Sequence, residues 1–157
     1  MQAQHDDETT TIDGIIRALY DSISGPAEQK RDLRRFRSLF LPDARLIRTN
    51  PSPDGTAAEA LVFDVDAYFK RACEYFKVEG FFESELARRV DTFGHVTQVF
   101  STYESRHAAD EPEPFSRGIN SIQLFHDGAR FWVVTIFWDF ERPDNMIPAG
   151  YLPQASG

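Results

Sequence analysis

Apolar residues near the start of the chain recur every three or four positions, which is the spacing of an amphipathic helix. The positions are Ile12, Ile15, Ile16, Leu19, Tyr20 and Ile23. Thr10 or Thr11 can cap the exposed amides at the start of this helix, and Gly25 followed by a proline ends it. Residues 1–10 show no such period. We therefore predict a flexible tail over 1–10 and a first helix after it.

Two further segments have the same helical period. One begins near Glu28 and ends at Pro42, and its apolar positions are Leu33, Phe36, Leu39 and Phe40. The other follows Asp64, a residue type favoured as an N-cap, and ends at Gly80. Its apolar stripe consists of Val65, Tyr68, Phe69, Ala72 and Phe76. These patterns predict a second and a third helix.

Strands are predicted between and after these helices. A short strand over 44–49 precedes the third helix, and a turn-rich loop from Asn50 extends as far as Leu61. Four longer strands follow, over 81–92, 96–107, 115–125 and 130–141. Helices segregated from hairpin-linked strands are typical of the α+β class, so we predict three N-terminal helices packed on a strongly curved, mixed or antiparallel sheet. A concave sheet covered by helices leaves room for one apolar pocket.

The last predicted hairpin is apolar on both faces. If Asp127 and Gly128 form the centre of a tight turn, Gln123 lies opposite Trp132. This register gives one face with Ser121, Gln123 and Trp138, and another with Ile122, Leu124, Val133 and Phe137. A sheet face in water normally alternates apolar with polar residues. We therefore expect the first face to line the pocket and the second to pair with another copy of the chain in a homodimer.

Composition and charge exclude several classes of function. The chain of 157 residues carries a net charge of -8 and has a pI of about 4.9, so we expect it not to bind nucleic acid. The single cysteine, Cys73, allows no intrachain disulfide, and no stretch is long and apolar enough to predict a membrane span. The first residues lack the pattern of a secretory signal, so we predict a cytoplasmic location. Metal-ligand spacings and phosphate-binding loops are absent from the sequence, and we predict no metal and no cofactor.

The order of these elements and three segments of sequence resemble the nuclear transport factor 2-like, or SnoaL-like, cone-fold superfamily. The segments are IRALYDSI near the start, LFLPDARLI before the first strand, and RGINSIQLFHDGARFWVVTIFWDFERPDN near the end. The resemblance implies a single domain over 11–142, in the cystatin-like cone architecture, followed by a C-terminal extension over 143–157. The superfamily includes polyketide cyclases, ketosteroid isomerase, scytalone dehydratase and non-catalytic binding proteins. The fold therefore does not fix the function.

The catalytic residues of the ketosteroid isomerases transfer poorly to this chain. Tyr20 is similar in position to their tyrosine on the first helix, and their second oxyanion donor falls near Asn120 or Ser121. Their general base is an aspartate on the first strand, where this chain has Arg45-Leu46-Ile47-Arg48 and no carboxylate. The resemblance therefore disfavours a ketosteroid isomerase, and we assign no catalytic residue.

Two functional hypotheses remain open from the sequence. The first is a protein that binds a small, largely hydrophobic molecule in its pocket and acts on it as an isomerase, cyclase or dehydratase. The second is a non-catalytic dimeric module that binds a ligand or a protein. The pocket-lining candidates are Tyr20, Arg48, Tyr103, Ser121, Gln123 and Trp138. Of these, Tyr20 is more typical of a structural residue, with its hydroxyl at the pocket rim or in a core hydrogen bond, than of a catalytic one. Arg48 could bind a carboxylate inside the cone or point outward to solvent.

Overall fold

The computed structural model describes residues 8–154. The helices are α1 (Ile12–Ile23), α2 (Leu33–Arg37) and α3 (Val65–Phe76), and a short 3₁₀ helix covers Ala149–Tyr151. The strands are β1 (Phe40–Pro51), β2 (Ala58–Asp64), β3 (Phe82–Phe93), β4 (Val96–Arg106), β5 (Ser116–His126) and β6 (Phe131–Phe140). The first and third predicted helices and the last four predicted strands are confirmed within a few residues at their ends.

The six strands form one open sheet in the order β2-β1-β6-β5-β4-β3. Neighbouring strands are antiparallel except for β1 and β6, which are parallel. The sheet is therefore mixed, and the three helices lie against it. The predicted α+β class, with three helices on a mixed sheet, is confirmed.

The two longer helices begin where the sequence places a capping side chain. The Thr11 hydroxyl accepts a hydrogen bond from the Gly14 amide at 2.9 Å, and the Asp64 carboxylate accepts one from the Ala67 amide at 2.7 Å. From α1, Ile15, Ile16 and Leu19 are buried, and Val65, Phe69 and Phe76 are buried from α3. The helices thus bury their apolar stripes against the sheet.

The second predicted helix is wrong over most of its length. Only Leu33–Arg37 is helical, whereas Phe40 opens β1 and Pro42 lies inside that strand. Of the residues that the structure describes, none pairs in a ladder with 41–44, because the register of β1 on β6 shifts between Phe40 and Arg45. A proline is tolerated in this gap, since no partner strand needs its amide.

Strand β2 was predicted to lie partly in a loop that extends to Leu61. It pairs antiparallel with β1, from Pro51 opposite Ala58 to Arg45 opposite Asp64. Five of its seven residues are exposed, including Val62, and none is fully buried. This edge strand therefore shows no clear alternation of apolar and polar residues that would predict it from sequence.

The turn of the terminal hairpin is longer than predicted, and a bulge in its ladder changes which residues share a face of the sheet. His126 pairs with Phe131, and the ladder shifts by one residue between Gln123 and Leu124. The bulge places Ile136 and Trp138 on the same face as Ile122, Leu124 and Val133. This face is the one that the helices bury, so the prediction that the last three residues face a second copy is wrong. The prediction that Ser121 and Gln123 face the pocket is wrong for the same reason, since they pair with Phe137 and Thr135 on the opposite face. Only Phe137 remains on that opposite face from the set predicted to form a dimer.

Both ends of the described chain pack on the domain. Thr9 is buried, its carbonyl accepts a hydrogen bond from the Phe131 amide at 2.7 Å, and Glu8 pairs with Arg35 at 2.5 Å. Residues 8–10 therefore do not form the predicted flexible tail, while 1–7 lie outside the described residues. At the other end, the Tyr151 carbonyl accepts from the Thr102 hydroxyl at 2.6 Å. Residues 155–157 of the predicted extension lie outside the described residues.

No helix within residues 8–154 combines the length and the hydropathy that a membrane crossing needs.

Candidate functional site

The helices and the concave face of the sheet enclose a cavity of about 490 Å³, here called the cone cavity. Nine of its nineteen lining residues are aromatic: Tyr20, Phe36, Tyr68, Tyr75, Phe81, Tyr103, Phe115, Trp138 and Phe140. Among its lining residues, only Glu83 and Arg48 carry a formal charge at neutral pH. An apolar cavity of this size with a few polar groups is typical of a small-molecule site.

Glu83 projects from β3 into the cone cavity. Its Oε1 accepts a hydrogen bond from the Asn120 side-chain amide at 3.3 Å, and no cation pairs with it among residues 8–154. Burial raises the pKa of Glu83 to about 7, and the hydrogen bond from Asn120 only partly opposes this effect. A carboxyl group with a pKa near 7 can release and accept a proton at neutral pH, which is what general acid–base catalysis requires.

Tyr20 reaches the same cavity from α1, but its hydroxyl is engaged by the protein. It lies 2.6 Å from the Ser101 hydroxyl and accepts a hydrogen bond from the Asn120 amide at 3.1 Å. Ser101 has one proton, which it donates to Glu85 at 2.5 Å. Tyr20 must therefore donate its own proton to Ser101, and it holds Asn120 in place instead of donating to a ligand.

The hydrogen-bond chain from Tyr20 continues to the surface. Glu85 accepts from Arg88 at 2.8 Å, and Arg88 in turn donates to Asp13 at 2.5 Å. The carboxylate of Glu85 is thus fully paired, whereas that of Glu83, two positions earlier on the same strand, faces the cavity. Environment gives these two carboxylates different roles.

Tyr68 and Tyr103 supply the hydroxyls that remain available. Neither hydroxyl has a hydrogen-bond partner in the part of the chain that the structure describes. Burial, followed by the nearby charge of Glu83, raises the pKa of both tyrosines. Both stay protonated at neutral pH and can donate to a molecule in the cavity. Tyr103 packs closely over Gly118, where any Cβ would collide with its ring.

Arg48 and Trp138 form a second polar area of the cavity wall. They lie opposite each other in the parallel ladder of β1 and β6, and both line the cavity. The Trp138 ring packs edge-on against Tyr68, with 5.8 Å between ring centroids. The Arg48 guanidinium lies 5.7 Å from the centre of the Phe140 ring.

The structure brings together four of the six pocket-lining candidates. Tyr20, Arg48, Tyr103 and Trp138 line the cone cavity, while Ser121 and Gln123 lie on the other face of the sheet. Asn120, and not Ser121, occupies the position beside Tyr20.

Sequence reasoning missed Glu83 and Tyr68. The available signal for Glu83 is the pair of carboxylates two positions apart in FESEL, which places Glu83 and Glu85 on one face of a strand. Tyr68 was assigned only to the apolar stripe of its helix, because spacing does not reveal an unpaired hydroxyl.

Among residues 8–154, no cluster of three or more histidine, cysteine, aspartate or glutamate side chains could hold a metal ion.

Comparison with protein-family models and with curated proteins finds no match to this sequence. Comparison with solved structures does. An NTF2-like protein of unknown function from Silicibacter pomeroyi superposes with a TM-score of 0.56 at 12% identity, over 90% of this chain and 99% of that one. The β subunit of a candidate aromatic-ring-hydroxylating dioxygenase from Novosphingobium aromaticivorans gives 0.63 at 13% identity, over 90% and 93%.

A candidate ketosteroid isomerase from Shewanella frigidimarina gives a TM-score of 0.53 at 9% identity, over 81% of this chain and 93% of that one. Other matched structures are described as having a cystatin-like fold. Identities this low establish the fold alone. The chain has the NTF2-like, or cystatin-like, fold that its sequence resemblance implied.

Proposed function

We propose that this NTF2-like chain binds a small, largely apolar molecule in the cone cavity and uses Glu83 to move a proton on it. One observation carries the proposal: Glu83 has no cationic partner among residues 8–154, and its pKa is about 7 inside an aromatic cavity. Isomerisation, cyclisation and dehydration can each begin by removal of a proton from a carbon beside a carbonyl. These are the reaction classes that the site suits.

The proposed proton transfer assigns one role to each available group. The Glu83 carboxylate takes the proton from the carbon, and the electrons of the C–H bond shift to leave a negative charge on the carbonyl oxygen. Tyr68 and Tyr103 can donate hydrogen bonds to that oxygen, which lowers the energy of the enolate. In an isomerisation, Glu83 returns its proton to a different carbon. Tyr20 and Asn120 position the carboxyl group and do not contact the reacting atoms.

The matched structures leave both catalytic and non-catalytic roles open. One is a candidate ketosteroid isomerase, and another is the β subunit of a candidate dioxygenase. The fold alone does not fix the function, and it is Glu83 that supports catalysis by this chain.

Hydrogen–deuterium exchange at carbon tests the proposal without knowledge of the natural substrate. The probe is 2-tetralone, an apolar ketone with acidic C–H bonds, incubated with the protein in D₂O and followed by proton NMR. We expect the wild-type protein to accelerate exchange over buffer, and Glu83→Gln to lose roughly 10²-fold or more of that acceleration, as is usual when a general base is removed. Glu113→Gln, which changes an exposed glutamate, should exchange like the wild type.

If 2-tetralone exchanges no faster with the wild-type protein than in buffer alone, catalysis by this site is contradicted. Native mass spectrometry of the purified protein then separates the alternatives. A co-purified small molecule would support the non-catalytic ligand-binding module, and an empty cavity that also fails to bind 2-tetralone would contradict ligand binding itself.

A further inference from the structure

Arg48 differs from the other shielded arginines of this protein. Eight arginines within residues 8–154 are buried or half-buried: Arg31, Arg35, Arg48, Arg88, Arg106, Arg117, Arg130 and Arg142. Seven of them donate hydrogen bonds to carboxylates or to backbone carbonyls. Over the same residues, the Arg48 guanidinium has neither a hydrogen bond nor an ion pair. The Arg48 side chain is half-buried and lines the cone cavity, and its nitrogens remain accessible to solvent, so a ligand in the cavity can contact them.

A second unpartnered donor lies beside it. The indole N–H of Trp138 has no acceptor in the described part of the chain, although Trp138 lies directly opposite Arg48 in the ladder of β1 and β6. The other tryptophan, Trp132, donates its indole N–H to Asp127 at 2.9 Å. Two adjacent donors therefore line the cone cavity without an acceptor from residues 8–154.

We propose that Arg48 and Trp138 form an anion-binding subsite, and that the ligand of the cone cavity is an organic anion with an apolar body. A carboxylate or sulfonate accepts two hydrogen bonds from a guanidinium in parallel, and an indole N–H can donate a further one. The chain has a net charge of -8, and of the residues that the structure describes, Arg48 is the only cation that lines the cavity. An anion would find no other favourable charge among these lining residues.

The subsite and Glu83 lie on strands that are not neighbours in the sheet. Strands β6, β5 and β4 separate β1, which carries Arg48, from β3, which carries Glu83. The anionic group of a ligand can therefore bind at Arg48 while its apolar body lies along the aromatic walls towards Glu83. This inference rests on the proposed function in one respect, since it requires that the cavity accepts an apolar molecule.

Two dyes that share an apolar body test the subsite. 8-Anilinonaphthalene-1-sulfonate carries a sulfonate, N-phenyl-1-naphthylamine lacks it, and both fluoresce when they leave water. We expect the wild-type protein to bind the sulfonate dye roughly tenfold more tightly than the neutral dye, as a charge-assisted hydrogen bond predicts. Arg48→Met should abolish this preference without changing the affinity for the neutral dye, and Arg48→Lys should retain part of it. Trp138→Phe should weaken only the binding of the sulfonate dye, by a few-fold.

Arg45→Met is the matched control. Arg45 lies on the same strand with its side chain exposed, and the substitution removes the same charge. It should retain the preference. A preference that survives in Arg48→Met, or that Arg45→Met also abolishes, would overturn the subsite. Equal binding of both dyes by the wild type overturns the subsite and leaves the proposed function standing, whereas binding of neither dye overturns both.

Discussion

The charge of Glu83 links the stability of this fold to pH. Its pKa is raised from an ordinary value of 4.5 to about 7, because burial disfavours the ionised form. Between these two pH values the folded state binds this proton more tightly than the unfolded state. The contribution of Glu83 to the free energy of unfolding is therefore fully present below about pH 4.5 and falls as pH rises through about 7.

Glu83→Gln should remove this dependence. At pH 8 we expect the variant to be more stable than the wild type by roughly 2–3 kcal/mol, because glutamine carries no buried charge. At pH 4.5 the two proteins should differ little. Urea unfolding at both pH values measures the effect, and Glu113→Gln, at an exposed position, should follow the wild type at each. If the difference in stability between the variant and the wild type is the same at both pH values, burial does not raise the pKa of Glu83.

At the scale of elements, local signals predicted the two longer helices, α1 and α3. Thr11 and Asp64 both accept the hydrogen bonds expected of N-cap residues, and α1 and α3 begin directly after them. The second helix failed because the apolar positions Leu39 and Phe40 fit a strand as well as a helix, and only pairing with β6 decides between them.

Asp64→Ala tests how strongly α3 depends on its cap. We expect a loss of about 1 kcal/mol in the free energy of unfolding, because the Ala67 amide loses its acceptor. Asp64→Ser should retain most of the stability, since a hydroxyl can accept the same hydrogen bond. Thermal or urea unfolding measures both variants, and an equal loss in the two would assign the effect to the charge of Asp64 instead of the cap.

Only part of the candidate site could be predicted from the sequence. Tyr20, Arg48, Tyr103 and Trp138 were chosen as aromatic or cationic groups on predicted inward faces, and the structure places all four on the cone cavity. The wrong placement of Ser121 and Gln123 follows from one bulge in the ladder of β5 and β6. No local residue pattern predicts this bulge, and beyond it the residues that share a face of the sheet are exchanged. The pairing of Glu85 and the isolation of Glu83 depend on contacts distant in sequence, so spacing could not separate them.

At the scale of the whole molecule, the convex side of the sheet exposes a group of aromatic rings. Phe100, Phe125 and Phe137 on β4, β5 and β6 are 40%, 38% and 45% exposed. Tyr151 covers part of Phe100, with 5.4 Å between ring centroids. Phe100 and Phe137 both lie opposite Ser121 on this face, and we propose that the face pairs with the same face of a second copy, which would bury these rings.

Phe137→Glu should disrupt the proposed dimer. We expect the wild-type protein to have twice the mass of one chain by light scattering at micromolar concentration, and the variant to have the mass of one chain, because a buried unpaired charge opposes association. Val78→Glu is the control, since Val78 is exposed after α3 and away from the sheet. It should remain dimeric, and a wild-type protein with the mass of one chain would contradict the proposal.

The parallel pairing of β1 with β6 has a consequence for how the protein acquires its structure. Arg48 lies beside Trp138, although more than half of the chain separates them in sequence. On the ribosome, β1 and β2 emerge long before β6 is synthesised, so until then their hairpin can pack against helices such as α3 but lacks its neighbouring strand. We expect the two halves of the sheet to join late and slowly, because the loop between β1 and β6 must close first. The wall of the cavity that carries Arg48 and Trp138 is then among the last parts to form.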